Sequence, residues 1–403
     1  MTTRRLGFLR SVILSALLVG AASFAGRSAR AKDKPDPAPL PAPVSYLEIA
    51  RQSIVDGDME RAVQALVEAR ACWQEHETAC GFTRVDYQSL VGVVYLEHHH
   101  YEQAAESLAE VVGEQPQRTA AWLYLGQALY YQKRYPDALE ALRKAADLGK
   151  NMKGYYLLLS RAELAQGQAA AARKTLIDGL GKYPGERTLL RDITLLYTGY
   201  GLFRTAVEVG RRYLASSEGD VFAYLLVADA MRNAGATEEA LPILEEAHLV
   251  SPDDSEVLAR LAYTYAEADK PYPAARLFER LARKDPKYAF ETAEQYRILG
   301  RSRLALRWNA QVTDAPKRVT QRLAILLGDE SFFQATQLVS EAQRVGALDD
   351  ATRYRLAYAA IRARRMVVAK QLLDGISASA LESGKKRLQE VLDRCRDTPE
   401  LCP

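Results

Sequence analysis

The chain has 403 residues, 48% hydrophobic and 26% charged, which places it in the broad soluble class with ample apolar material for a core. Its formal net charge of +3 is too small for that length to imply a nucleic-acid partner. The charge is uneven, with 18 Lys and Arg against 10 Asp and Glu between Arg301 and Arg396, a run whose simplest reading is a solvated basic face.

Arg4, Arg5 and Arg10 flank the start of an uncharged apolar run, Ser11 to Gly26, and Ala29-Arg30-Ala31 supplies small residues before a cut. That order predicts a secretory signal peptide over 1–31, cleaved after Ala31, and an exported, periplasmic protein without stable membrane insertion after processing. An Arg-rich leader free of acids also fits a mitochondrial transit peptide, although such leaders are amphipathic and this one is continuously apolar. The next segment, 32–44, carries five prolines between Pro35 and Pro43 and reads as a semi-rigid linker.

Cys72 and Cys80 lie close together, as do Cys395 and Cys402, and in an exported chain such local pairs read as two disulfides. At the first pair a rival reading stays open. Cys72, His76 and Cys80 would share one face of a continuous helix and could hold zinc, but eight helical residues span about 12 Å, beyond disulfide reach. The two readings demand different backbones. His98, His99 and His100 fall between two helical stretches and read as a solvated turn, with adventitious metal capture as the alternative.

From Val85 onward a 34-residue period appears. Gly92, Gly126, Ser160, Thr194, Ala228 and Ala262 form one series of small residues, and Ala104, Ala138, Ala172, Ala206, Ala240 and Ala274 form another. Bulky positions keep the same step: Leu108, Leu142, Leu176, Leu244 and Phe278, with Gly210 as the one gap. Pro116, Pro184, Pro252 and Pro286 end four of the units. The pattern resembles the tetratricopeptide repeat family, whose unit is helix, turn and helix with small residues at its eighth and twentieth positions. Small side chains there let two helix axes approach to roughly 8 Å.

Six units match without insertion over 85–288. A degenerate first repeat with a Cys-bounded insertion occupies 45–84, recognised by Ile49, Ala50, Ala62 and Leu66. Ala305, Ala335 and Ala369 act as further twentieth positions, and Trp308, Tyr354 and Leu373 keep the apolar periodicity, so 289–376 reads as degenerate helical pairs. A C-terminal capping helix and tail fill 377–403. The expected fold is all-α, a right-handed superhelical solenoid of stacked helix-turn-helix repeats with a concave face.

No phosphate loop, dinucleotide fingerprint, zinc-protease pair or nucleophile elbow is present, and a lone Ser383-to-Lys386 spacing lacks its companion motifs. Neither an enzyme nor a cofactor or metal is expected. The resemblance instead implies that positions 2, 5, 9 and 12 of the first helices line a partner-binding groove. Here those positions supply Val93, Leu96, Leu123, Gln127, Tyr130, Leu157, Arg161, Leu164, Arg191, Asp229, Arg232 and Tyr263. Apolar anchors with nearby arginines suit a protein or peptide partner, and the family's exported members suggest a bacterial envelope assembly for secretion, pilus, gliding motility or polysaccharide export. The alternative is a cell-wall or glycan-handling accessory protein that uses the Tyr-rich groove.

Overall fold

The computed structural model describes residues 46–75 and 80–397. The expected signal peptide, the proline-rich linker, His76 and Cys402 lie outside the described residues. The described chain is all-α and divides into two compact units between Ser216 and Ser217.

The first unit pairs α1 (Tyr46–Asp56) with α2 (Met59–Glu75), then α3 (Arg84–Glu97) with α4 (Tyr101–Glu114). Next come α5 (Thr119–Tyr131) with α6 (Tyr135–Lys144) and a short α7 (Ala146–Gly149), α8 (Lys153–Ala165) with α9 (Ala169–Lys182), and α10 (Arg187–Gly199) with α11 (Phe203–Ala215). The second unit pairs α12 (Val221–Asn233) with α13 (Thr237–Val250), α14 (Ser255–Glu267) with α15 (Pro271–Ala282), and α16 (Ala289–Ile298) with α17 (Ser302–Asn309). It continues with α18 (Ala315–Gly328), whose partner is broken into α19 (Phe332–Thr336) and α20 (Val339–Arg344), then α21 (Asp350–Arg362) with α22 (Met366–Asp374), and ends in α23 (Glu382–Asp397).

The small residues sit where helices touch. All six alanines of the second series, from Ala104 to Ala274, are fully buried. The first series has a more specific cause. A Cβ added at Gly92 would stand 2.7 Å from Leu108 Cγ, and one at Gly126 would stand 2.8 Å from Leu142 Cγ. The eighth position is therefore small because the leucine sixteen residues later lies on its backbone. Where that leucine is replaced by the buried Gly210, the eighth position carries Thr194, also buried. A larger residue stands where the register removes its neighbour, and close packing is kept.

Every pair turns by the same device. The residue five before each buried alanine has positive φ: Gly57, His99, Lys133, Gly167, Gly201, Gly235, Asp269, Gly300, Glu330 and Arg364. The next amide then donates to the carbonyl five residues back, as His100 N to Tyr95 O at 2.8 Å and Arg365 N to Ala360 O at 2.7 Å. This is the six-to-one bond of a Schellman turn, which satisfies a carbonyl left over at the helix end.

Several first helices begin on side-chain caps. Thr83 and Asp86 form a reciprocal capping box, and Asp220, Asp254, Asp314 and Asp349 each accept an amide from the first turn that follows. At the C-terminal end Asp350 does something different. Its Oδ2 accepts from Ser377 N at 2.9 Å and Ala378 N at 2.7 Å, tying the approach to α23 to the start of α21. Those backbone bonds hold the Asp350 carboxyl below the ordinary range. A depressed folded pKa adds stability above the unfolded value of about 3.9, and that stability is lost as pH falls through the folded value. Asp350→Ala at neutral pH, or acidification of the native chain through the depressed carboxyl pKa, is therefore expected to lower the protection of the Ser377 and Ala378 amides, measured against the unfolded-chain exchange rate at the same pH. Unchanged protection in both cases would show that the tie does not hold the segment.

Candidate first-helix binding face

In the first unit, α3, α5, α8 and α10 bring successive first helices side by side. Val93, Leu96, Leu123, Gln127 and Leu157 are buried, each at most 8% exposed. They pack within the stack and leave little surface for a ligand. Tyr130, Arg161, Leu164 and Arg191 are half-buried and form the accessible part of the predicted set. Gln127 adds one unusual feature, because its side-chain carbonyl is buried without a hydrogen-bond partner. A buried amide acceptor left unpaired is costly, on the order of 1–3 kcal/mol.

The two arginines share a carboxylate that the sequence reading did not single out. Arg161 Nε lies 2.6 Å from Asp192 Oδ2, and Arg191 Nη2 lies 2.8 Å from Asp192 Oδ1. Asp192 is buried, so its charge is matched by two guanidiniums and the trio retains one positive charge. Burial pulls the Arg161 pKa down, but the Asp192 carboxylate outweighs it and holds the guanidinium above its ordinary value. Tyr130 is pushed up, chiefly by burial, with Arg161 opposing.

An aromatic cluster borders this face at the turns. Tyr101 and Tyr131 stack with centroids 4.8 Å apart, Tyr131 meets Tyr130 edge-on at 5.4 Å, and Tyr130 meets Tyr135 at 5.7 Å. Two histidines join its fringe, with His99 5.8 Å from Tyr101 and His100 edge-on to Tyr95 at 6.1 Å. His99 occupies the left-handed turn position, and His98 and His99 are exposed. Among the described residues no His, Cys, Asp or Glu group forms a metal-holding cluster.

In the second unit, Asp229, Arg232 and Tyr263 occupy α12 and α14. Asp229 pairs with Arg260, and Arg232 with Glu267 at 2.5 Å. The Asp229–Arg260 link joins the ninth position of one repeat to the sixth of the next, as Arg161–Asp192 does in the first unit, with the signs reversed. Tyr263 is exposed at 38%, but its ring meets Phe278 edge-on at 4.9 Å and its hydroxyl reaches Glu291 at 3.3 Å. Burial first, then Glu291, pushes its pKa up to about 12. A cleft near 200 Å³ opens nearby, lined in part by Pro286, Phe290, Glu291 and Asp314.

Cys72 and Cys80 are joined by a disulfide with Cα atoms 6.0 Å apart. Eight residues of continuous helix would hold those Cα atoms about 12 Å apart, so the spacing observed is that of the disulfide reading and not of the zinc reading. Cys395 is also disulfide-bonded. Among the described residues, no helix is long and apolar enough to cross a membrane.

Stacked helical pairs closed by one repeated turn, with ordered side chains on the first-helix face, define an all-α repeat scaffold for protein interaction. Family models described as tetratricopeptide repeat match residues 92–153 and 232–294, so each unit carries tetratricopeptide repeats. Among solved structures it is similar to Pseudomonas aeruginosa PilF at 15% identity, covering 56% of this chain and 97% of that one with a TM-score of 0.45. MamA from Desulfovibrio magneticus RS-1 matches at 18% identity, 41% and 96% coverage and a TM-score of 0.38. A tetratricopeptide repeat protein from Parabacteroides merdae matches at 11% identity, 59% and 91% coverage and a TM-score of 0.42. Comparison with the curated proteins gives no match.

Proposed function

We propose that the protein is an exported scaffold that holds a partner protein or peptide on the first-helix face, within a bacterial envelope assembly of the kind that serves secretion, pili, gliding motility or polysaccharide export. The observation that carries the binding site is the row Tyr130, Arg161, Leu164 and Arg191, with both guanidiniums held on Asp192. Half-buried apolar and aromatic surface supplies burial, and the pinned guanidiniums supply direction. Export is supported by the leader pattern and by the Cys72–Cys80 disulfide, since such bonds persist in oxidising compartments. The glycan alternative is less well served, because Tyr101 and Tyr131 spend a ring face on each other instead of offering both to a sugar.

The test combines Tyr130→Ser with Arg161→Gln. Asp192 keeps Arg191 as its partner, so the fold is expected to survive with unchanged circular dichroism. Crosslinked partner recovery from the native envelope is expected to fall by about tenfold or more, the scale of losing one charged hydrogen bond and one aromatic anchor. Leu157→Asp is unsuitable because it would bury a charge in the stack. Mass spectrometry of the same native material is expected to find the mature chain beginning at Lys32. Undiminished recovery by the double variant would remove the binding face, and an intact Met1 would remove cleavage and export by this leader.

A further inference from the structure

At one turn of the second unit, arginine and aromatic side chains assemble an edge that the first-helix face does not use. Arg362 closes α21, Arg364 takes the left-handed turn position with φ 56°, and Arg365 precedes α22. The Arg362 guanidinium carbon lies 4.5 Å from the Phe332 ring centroid and 6.0 Å from that of Tyr358, and its Nη1 donates to Tyr358 Oη at 3.0 Å. Arg365 lies 5.8 Å from the Phe333 ring, and its Nη1 donates to Thr336 Oγ1 at 2.8 Å. Among the described residues none of these three arginines has a carboxylate within ion-pair distance. The acids of the preceding turn, Asp329 and Glu330, make no ion pair with them, and Asp329 accepts instead from Ser331. Beside the guanidiniums, Phe333 is 63% exposed and Val367 is 73% exposed.

The geometry points to a docking edge for an acidic protein segment, one in which carboxylates flank an aromatic or aliphatic side chain. Charge complementarity selects the occupant. Rings and hydroxyls pin two guanidiniums in fixed planes, and a fixed planar fork matches a carboxylate through two parallel hydrogen bonds. An anionic bilayer needs no such fixed direction and is served equally by flexible lysines, so the pinning favours a protein ligand. Phe333 and Val367 supply the apolar contact that adds burial to the charge match. This edge rests on the scaffold reading but adds to it a second surface of different chemistry, confined to residues 332–367 and so separate from Tyr130 and Arg161.

Panning a phage-displayed library of random dodecapeptides against the full chain tests the edge. Enriched sequences are expected to carry Asp or Glu around an aromatic or aliphatic residue. Synthetic copies are expected to bind Arg362→Gln/Arg365→Gln at least about tenfold more weakly, since each charged hydrogen bond contributes roughly a factor of ten. Phe333→Ser, at an exposed position, is expected to weaken them as well with an unchanged melting curve, which separates lost binding from lost folding. Absence of enrichment, enriched peptides without acids, or peptides that bind wild type and both variants equally would overturn the proposal. Arginine-dependent sedimentation with phosphatidylglycerol vesicles but no acidic peptides would reassign the edge to a membrane surface. Peptides lost with Tyr130→Ser/Arg161→Gln but retained by the arginine variant would leave the first-helix reading standing and sink this one alone.

Discussion

Ala240→Leu is expected to lower the melting temperature of the protein by about 2–12 °C, although the residue has no surface to offer a ligand. Ala240 is fully buried on α13, in the series of alanines that mark helix contacts. Three added carbons have no space to occupy, and overpacking of this kind costs about 1–3 kcal/mol. In a unit of this size each kcal/mol moves the midpoint by roughly 2–4 °C. Ala170→Leu, on the exposed side of α9, is the matched control and is expected to leave the midpoint in place. Gly126→Ala sharpens the test by its sign. In an ordinary helix interior the change stabilises by up to about 1 kcal/mol, but here the new Cβ meets Leu142 Cγ at 2.8 Å. Destabilisation is expected, and a gain in stability would show that Leu142 does not lie on that backbone.

Opening the Cys72–Cys80 disulfide is expected to have an effect of similar size. The bond closes a short loop at the end of α2, and constraining a loop of this length stabilises by about 2–3 kcal/mol in the chain-entropy picture. Cys72→Ser/Cys80→Ser is therefore expected to melt about 4–12 °C lower and to expose α2 to limited proteolysis first. Mild reductant should reproduce the proteolysis of α2 in wild type and leave cleavage at α2 unchanged in the double variant. If the variant and wild type melt together under oxidising conditions, the bond adds nothing to the fold.

The repeat was legible because its physics is periodic. Ala104 and its five successors are dictated by one contact distance, so a 34-residue step recovers them from letters alone. The turn was less legible, although its spacing is just as regular. The left-handed position holds glycine in some turns but His99, Lys133, Asp269, Glu330 and Arg364 in others. The Schellman bond tolerates these residues, so no single letter marks the site. An alanine preceded five residues earlier by Gly, Asp or a polar residue was the available signal. Asp192 was missed for another reason. It occupies the sixth position, outside the expected groove set, and its role depends on two arginines from different repeats, a relation that no spacing within one repeat can reveal. Breaks such as Ala145 between α6 and α7, or Gln337 and Leu338 between α19 and α20, leave the apolar periodicity almost unaltered and so carry no mark in the letters.

The reversed ion link limits how such a chain can grow or recombine. If Lys153–Glu186 were duplicated in tandem, the copied Arg161 would meet Leu158 in place of Asp192, because the sixth position of that repeat is apolar. Duplicating Val221–Asp254 would likewise set Asp229 against Leu226 in place of Arg260. Each event strands a partly buried charge, a defect that a later substitution would have to repair. Neighbouring repeats are thus matched as specific left and right partners. Shuffling or expansion through either of these links would require paired charge changes on both sides of the seam.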